Sequence, residues 1–251
     1  MKETLRLNRF LATAGVASRR RCDELIRQGR ILVNGRPVEQ LGTQVDPDQD
    51  EVTVDGNRVE LPRGTWTLVL HKPREYLVAS GDPRGRKTVM DLLEQAPGRV
   101  FPVGRLDYRS EGLLLFTNDG ELAYRLAHPR FKVEKHYVVD VEGMVPPEVI
   151  EKLREGVVLD DGPTQPADVR LVKRRRGRCQ LEVRLREGRK RQIRRMFALF
   201  GHAVLRLRRI RFGPIALDGV ASGTWRELTA TEIRALRIAV GLQGAGAGER
   251  K

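Results

Sequence analysis

From Cys179 to Leu185, apolar residues (Cys179, Leu181, Val183, Leu185) alternate strictly with polar ones (Gln180, Glu182, Arg184). A period of two puts every apolar side chain on one face of an extended chain, so this segment predicts a half-buried antiparallel strand. Sheets with one solvated face are built from antiparallel strands. Strands are predicted at 67–70, 76–79, 112–117, 136–142, 168–172, 179–186, 203–212 and 225–228. Helices are predicted at 88–95, 119–127, 146–155, 189–200 and 230–239; Pro146-Pro147 suits a helix start and Gly201 a stop. Several strands follow one another without a helix between them, which argues against a repeating β-α-β wind. The expectation is an α+β domain with a mostly antiparallel mixed sheet over residues 67–240.

Residues 1–60 read as a separate small module. Leu5, Leu7, Phe10, Leu11 and Ala14 give a helical apolar face that ends near Gly15. Ser18 can cap a second helix with Cys22, Leu25 and Ile26 inward and Gly29 at its end. Ile31-Leu32-Val33 reads as a strand, Asn34-Gly35 as a hairpin turn and Pro37-Val38 as the return. Glu51 to Val54 predicts a last short strand, with a turn at Asp55-Gly56. Residues 61–66 form a linker, and the Gly-rich tail 241–251 is expected to be disordered.

The charge balance narrows the partners. Lys and Arg number 47 against 33 Asp and Glu, a net charge of +14 over 251 residues. Such an excess predicts an anionic partner, with nucleic acid first. No stretch approaches the roughly 20 apolar residues that span a bilayer, so a membrane is not expected. Met1 to Leu5 leads into no apolar signal region, and Cys22 and Cys179 are isolated, so a reducing cytoplasm is the expected location. His71, His128, His136 and His202 are scattered, which predicts no metal. Neither a dinucleotide fingerprint nor a phosphate-binding Gly-Lys loop is present, so no cofactor is expected.

Residues 104–120 read Gly-Arg-Leu-Asp-Tyr-Arg-Ser-Glu-Gly-Leu-Leu-Leu-Phe-Thr-Asn-Asp-Gly. Asp107 sits in a polar loop beside Arg105, and the apolar run Leu113–Phe116 follows as a buried strand. A lone aspartate before a strand is usually a turn former, so its weight depends on other segments. Three stand out: His71-Lys72-Pro73, Lys135-His136-Tyr137, and Glu187 to Met196. In the last, Ile193, Met196, Phe197 and Phe200 recur at helical spacing and predict a packed face. Arg19, Arg20, Arg21, Arg27 and Arg30 crowd the second helix against only Asp23 and Glu24. They form either a solvated face or a phosphate grip.

The 104–120 segment resembles the catalytic motif of pseudouridine synthases, in the ribosomal-RNA branch with the Gly-Arg-Leu-Asp pattern. The N-terminal segments Leu-Asn-Arg-Phe-Leu, Ala-Ser-Arg-Arg and Gly-Arg-Ile-Leu-Val-Asn-Gly-Arg-Pro-Val are similar to the S4 domain, a small RNA-binding unit. The resemblance implies isomerisation of uridine to pseudouridine in ribosomal RNA, with Asp107 as the nucleophile. It implies that Tyr137 stacks on the target base, that Ile193 closes the apolar floor and that Arg194 pairs with Asp107. Lys72, Arg105, Arg191 and Arg195 are then RNA contacts. Arg206 and Arg208 line an RNA track along the 203–212 strand, and the Arg19, Arg20, Arg21, Arg27 and Arg30 cluster anchors a neighbouring RNA element. Asp107 could attack C1′, attack C6 or remove the C2′ proton. Residues 82–89 and 209–217 look more like the B-type enzymes of large-subunit RNA than the A-type relatives of small-subunit RNA. A monomer without an obligate protein partner is expected. The alternatives are a small-subunit enzyme and an S4-bearing assembly factor that has lost catalysis.

Overall fold

The computed structural model describes residues 4–62 and 64–242. It divides into two compact units between Thr65 and Trp66.

In the N-terminal unit, β1 (Leu5–Arg6) leads into α1 (Leu7–Thr13) and α2 (Arg19–Arg27). Strands β2 (Ile31–Val33), β3 (Arg36–Pro37), β4 (Gln44–Val45), β5 (Val52–Val54) and β6 (Asn57–Arg58) follow. The Ser18 side chain accepts the Arg21 backbone N–H and starts α2, as the sequence predicts. Asn34 (φ 52°) and Gly35 (φ 75°) are both left-handed, the geometry that closes the β2–β3 hairpin. Leu7, Phe10, Leu11, Cys22, Leu25, Ile26 and Ile31 form the core. Leu5 departs from the predicted helix: it pairs with Val45 in a two-stranded ribbon, and α1 begins at Leu7.

The second unit is built on β7 (Thr67–Lys72), β8 (Phe101–Pro102), β9 (Glu111–Thr117), α3 (Gly120–Ala127), β10 (Lys135–Glu142) and α4 (Pro147–Glu155). These are followed by β11 (Val158–Leu159), β12 (Gly162–Pro163), β13 (Asp168–Arg175), β14 (Arg178–Leu185) and α5 (Gln192–Ala198). The last elements are β15 (Val204–Phe212), β16 (Ile215–Ala216), β17 (Trp225–Glu227) and α6 (Ala230–Ala239). The main sheet runs β13-β14-β10-β15-β9-β7-β17, with β16 on β15 and β8 on β9. Every pairing is antiparallel except β15 with β9, which is parallel. The sheet is therefore mostly antiparallel and the fold α+β, as expected.

Strands β7 and β9 are apolar through their centres, Leu68–Leu70 and Leu113–Phe116, because both faces are covered. Leu68, Leu70, Leu114 and Phe116 join a core with Tyr137, Val139, Leu181, Val183 and the α4 and α5 residues Leu153, Ile193, Met196 and Phe197. Val69, Leu113 and Leu115 face the other way, onto Leu122 and Leu126 of α3 and Leu236 of α6. At the parallel seam Arg209 lies opposite Gly112. Gly112 has φ +106°, and a Cβ there would lie 2.2 Å from the Arg209 carbonyl oxygen, so only glycine fits.

Three predicted elements change in this unit. Residues 76–79 form no strand; Leu77 makes a lone bridge with Thr88 inside a loop. The predicted 88–95 helix shrinks to one 3-10 turn, Val89–Leu92, closed by a Thr88–Asp91 capping box. The predicted 189–200 helix starts only at Gln192, because Arg191 is left-handed (φ 51°). The β11–β12 hairpin was not anticipated. Trp66, at the end of the expected linker, is tied into the second unit: its N–H donates to Asn118 Oδ1 at 2.8 Å. The tail expected to be disordered falls, beyond Leu242, outside the described residues. Among the described residues no helix is long and apolar enough to cross a membrane.

Candidate active site

Asp107 sits in the turn before β9, and three contacts fix that turn. The Ser110 N–H donates to the Asp107 carbonyl at 2.9 Å, and the Glu75 N–H to the Tyr108 carbonyl at 2.7 Å. The Lys72 ammonium, with no exposed surface, donates to the carbonyls of Pro73 and Ser110, both at 2.8 Å. The sequence-based role of Lys72 as a phosphate contact is corrected by this burial. The side chain ties the end of β7 to the Asp107 turn and offers no exposed donor to RNA. Burial pushes its pKa down to about 8, opposed by the charges of Asp107 and Glu111.

Asp107 borders a cavity of about 530 Å³. Leu106, Tyr137, Leu185, Ile193, Leu207 and Phe212 supply its apolar wall. Tyr137 is 9% exposed and faces inward because β10 alternates, with Lys135, Tyr137, Val139 and Val141 buried. Ile193 arrives on the first turn of α5. Arg105, Tyr108, Lys190 and Arg191 also border the cavity and are exposed. The Asp107 carboxylate is half-buried and makes no hydrogen bond or ion pair with another described residue. The structure thus brings Asp107, Tyr137, Ile193, Arg105 and Arg191 to one cavity.

Arg194 is placed differently from the expected ion pair. Its Nη1 donates to the Val204 carbonyl at 2.7 Å and its Nη2 to the Arg109 carbonyl at 3.3 Å. Burial and then Arg191 lower its pKa, while Asp107 acts in the opposite direction. Arg194 therefore feels Asp107 electrostatically while its hydrogen bonds fasten α5 to β15 and to the Asp107 loop.

Other arginines have partners that the sequence did not reveal. Arg195 clasps Asp160 and Asp161 of the β11–β12 turn, the second at 2.9 Å, so its charge serves the fold. Arg206 Nε lies 2.7 Å from Glu111 Oε1. Arg208 is half-buried with no ion pair to a described residue. In the first unit Arg21 pairs with Glu24, and Arg30 grips Asp55 with both ends of its guanidinium. Arg19, Arg20 and Arg27 are exposed and without ion pairs to described residues.

Sequence reasoning missed Lys135 and Arg209 as parts of the cavity, 7% and 3% exposed. Lys135 was findable, since it shares the inward face of Tyr137 on β10. Arg209 was not, because a bulge shifts the β10–β15 register between His136 and Tyr137. Glu187 and Gln192, also buried, join at the same wall, and Glu187 accepts from the Gln165 N–H at 3.0 Å. Among the described residues, no three His, Cys, Asp or Glu side chains converge to hold a metal ion.

The site thus gathers the Asp107 carboxylate, an apolar slot faced by a tyrosine, and exposed basic residues at its border. The chain belongs to the RNA pseudouridylate synthase family, whose model matches residues 67–199; an S4 domain model matches residues 5–52. It is 47% identical to an uncharacterized RNA pseudouridine synthase of Aquifex aeolicus, over 95% of this chain and 96% of that protein. It is 42% identical to the ribosomal large subunit pseudouridine synthase B of Bacillus subtilis, over 92% of this chain and 95% of that protein. A crystal structure of a pseudouridylate synthase superposes with a TM-score of 0.67 at 29% identity, covering 92% of this chain and 99% of that one.

Proposed function

We propose that this protein isomerises a specific uridine of large-subunit ribosomal RNA to pseudouridine, with Asp107 as the catalytic carboxylate. The observation that carries the reading is the Asp107 carboxylate, without a hydrogen bond or ion pair to another described residue, on the same cavity as Tyr137 and Ile193. The large-subunit assignment is supported by the B-type relative in Bacillus subtilis. The target nucleoside leaves its stack at a cost of a few kcal/mol. Tyr137 and Ile193 then hold the uracil in the apolar slot, and Arg105 and Arg191 meet the flanking phosphates. Asp107 opens the C1′–N1 bond, by attack on the nucleoside or by taking the C2′ proton. The base turns and rejoins C1′ through C5 as Asp107 leaves the nucleoside or returns the C2′ proton; the C5 proton then leaves and N1 gains one. Arg194 positions the Asp107 loop through the Arg109 carbonyl. The N-terminal unit, acting in the cytoplasm as part of a monomer, grips a neighbouring RNA element with Arg19, Arg20 and Arg27.

The test is to map pseudouridine in ribosomal RNA from cells with and without the gene, complemented by wild type or Asp107→Asn. One large-subunit site should disappear and return only with wild type. Loss of a small-subunit site alone would reverse the choice of RNA.

A further inference from the structure

Two cations share the buried wall of the cavity, and the one buried acid that acts on Lys135, Glu187, is committed by hydrogen bonds to other donors. Lys135 Nζ lies 5.5 Å from the centre of the Phe212 ring, and Arg209 Cζ lies 5.1 Å from it. Arg209 uses Nε on the Leu113 carbonyl at 2.7 Å, while its Nη2 is buried with no hydrogen-bond partner among the described residues. Lys135 donates no hydrogen bond to another described residue. Burial and then the Arg209 charge push the Lys135 ammonium down to about 8, against the opposing charge of Glu187. The acids on the cavity wall are Asp107 and Glu187. Glu187 is already engaged by the Gln165 N–H, by Gln192 Nε2 and by Arg189 Nε. A buried pair of like charges is costly unless something answers it, and such pairs gather where function needs them.

The missing negative charge belongs to the substrate. A phosphate stays on the RNA backbone, outside the slot, where the exposed Arg105, Lys190 and Arg191 can meet it. Residues as buried as Lys135 and Arg209 are reached by the everted base. Uracil enters neutral. When the C1′–N1 bond breaks, its electron pair stays on the base, and the charge spreads over O2 and O4.

We propose that Lys135 and Arg209 are catalytic residues that form an anion hole for the detached uracil. The inference rests on the isomerase reading above. Asp107 takes the C2′ proton or bonds to C1′, and N1 keeps the electron pair in either case. The charge is discharged when C5 bonds to C1′ as Asp107 leaves C1′ or returns the proton to C2′; the C5 proton then leaves and N1 gains a proton. No oxidant or reductant is needed. Stabilisation is large because the donors are fixed and dry before the charge develops.

The test uses leaving-group quality. Full-length protein is assayed under single turnover on the RNA segment carrying the mapped target, with uridine or 5-fluorouridine at that position. Pseudouridine has the mass of uridine, so products are read by chromatographic separation of nuclease digests; for 5-fluorouridine, whose C5 has no proton to release, the product read is the C1′–C5 linked nucleoside that retains fluorine. Fluorine stabilises the departing anion by itself, so it should lessen the need for the hole. Lys135→Met and Arg209→Lys should slow uridine isomerisation by about 10²–10³-fold and the C1′–N1 to C1′–C5 rearrangement of 5-fluorouridine by under about tenfold. Lys135→Arg should restore most of the uridine rate. Lys135→Met removes a buried charge that burial and Arg209 both disfavour, so its thermal midpoint should match or exceed wild type. Equal slowing on both substrates, or none, overturns the anion hole while leaving an active wild type and the isomerase reading intact. A wild type inactive on both RNAs overturns both readings.

Discussion

The Lys72 ammonium, wholly buried, donates a 2.8 Å hydrogen bond to the Ser110 carbonyl, in the turn that carries Asp107. A charge taken out of water is thus used to hold the end of β7 against the Asp107 loop. Lys72→Met strands the Ser110 and Pro73 carbonyls, at about 1–3 kcal/mol for each buried group left unpaired. Lower stability and a lower kcat at little-changed KM are expected, because the carboxylate loses its support.

The same lysine gives a pH signature. Its pKa is about 8 in the folded chain and roughly 10.4 when unfolded. Below about pH 8 both states carry the proton, and the folded state bears the full cost of burying it. Between about pH 8 and roughly 10.4 the folded state releases the proton first, so this contribution to stability rises with pH. Urea midpoints of wild type minus Lys72→Met should therefore climb across that window. A flat or falling difference would count against a charged, buried Lys72.

Tyr137 presents its ring to the slot from an inward position on β10. Stacking on a base is worth roughly 1–3 kcal/mol. Tyr137→Phe should stay within about tenfold of wild type, whereas Tyr137→Leu should lose about 10–100-fold in kcat/KM. Equal rates for both variants would remove the stacking role.

In the N-terminal unit the unpaired arginines should carry the phosphate contacts. Replacing Arg19, Arg20 and Arg27 together by Ala should reduce the slope of log affinity against log salt by about 2. Arg30→Ala should change that slope less, because Asp55 already holds Arg30 at both ends. A filter-binding titration over salt concentrations separates the two.

The strands were legible where their environment is simple. The alternation in β14 and the continuous apolar run of β9 each reported directly on one or two covered faces. Asp107, Tyr137 and Ile193 were legible through motif resemblance, and the cavity gathers all three. What stayed hidden depends on distant partners. Nothing near Arg195 in the sequence announces the Asp160–Asp161 turn, and nothing near Arg194 announces the Val204 and Arg109 carbonyls. The start of α5 was misplaced because the left-handed backbone at Arg191 has no signature in a run of basic residues. Lys72 read as a surface cation because a strand-end lysine looks the same whether its ammonium meets water or two carbonyls.

The central claim is that one carboxylate opens the glycosidic bond of an everted uridine. The most direct measurement is single-turnover pseudouridine formation on large-subunit ribosomal RNA by wild type and by Asp107→Asn, at matched RNA occupancy. Wild type should convert one uridine, and Asp107→Asn should bind the RNA comparably and convert none. Conversion by Asp107→Asn at the wild-type rate would contradict the account.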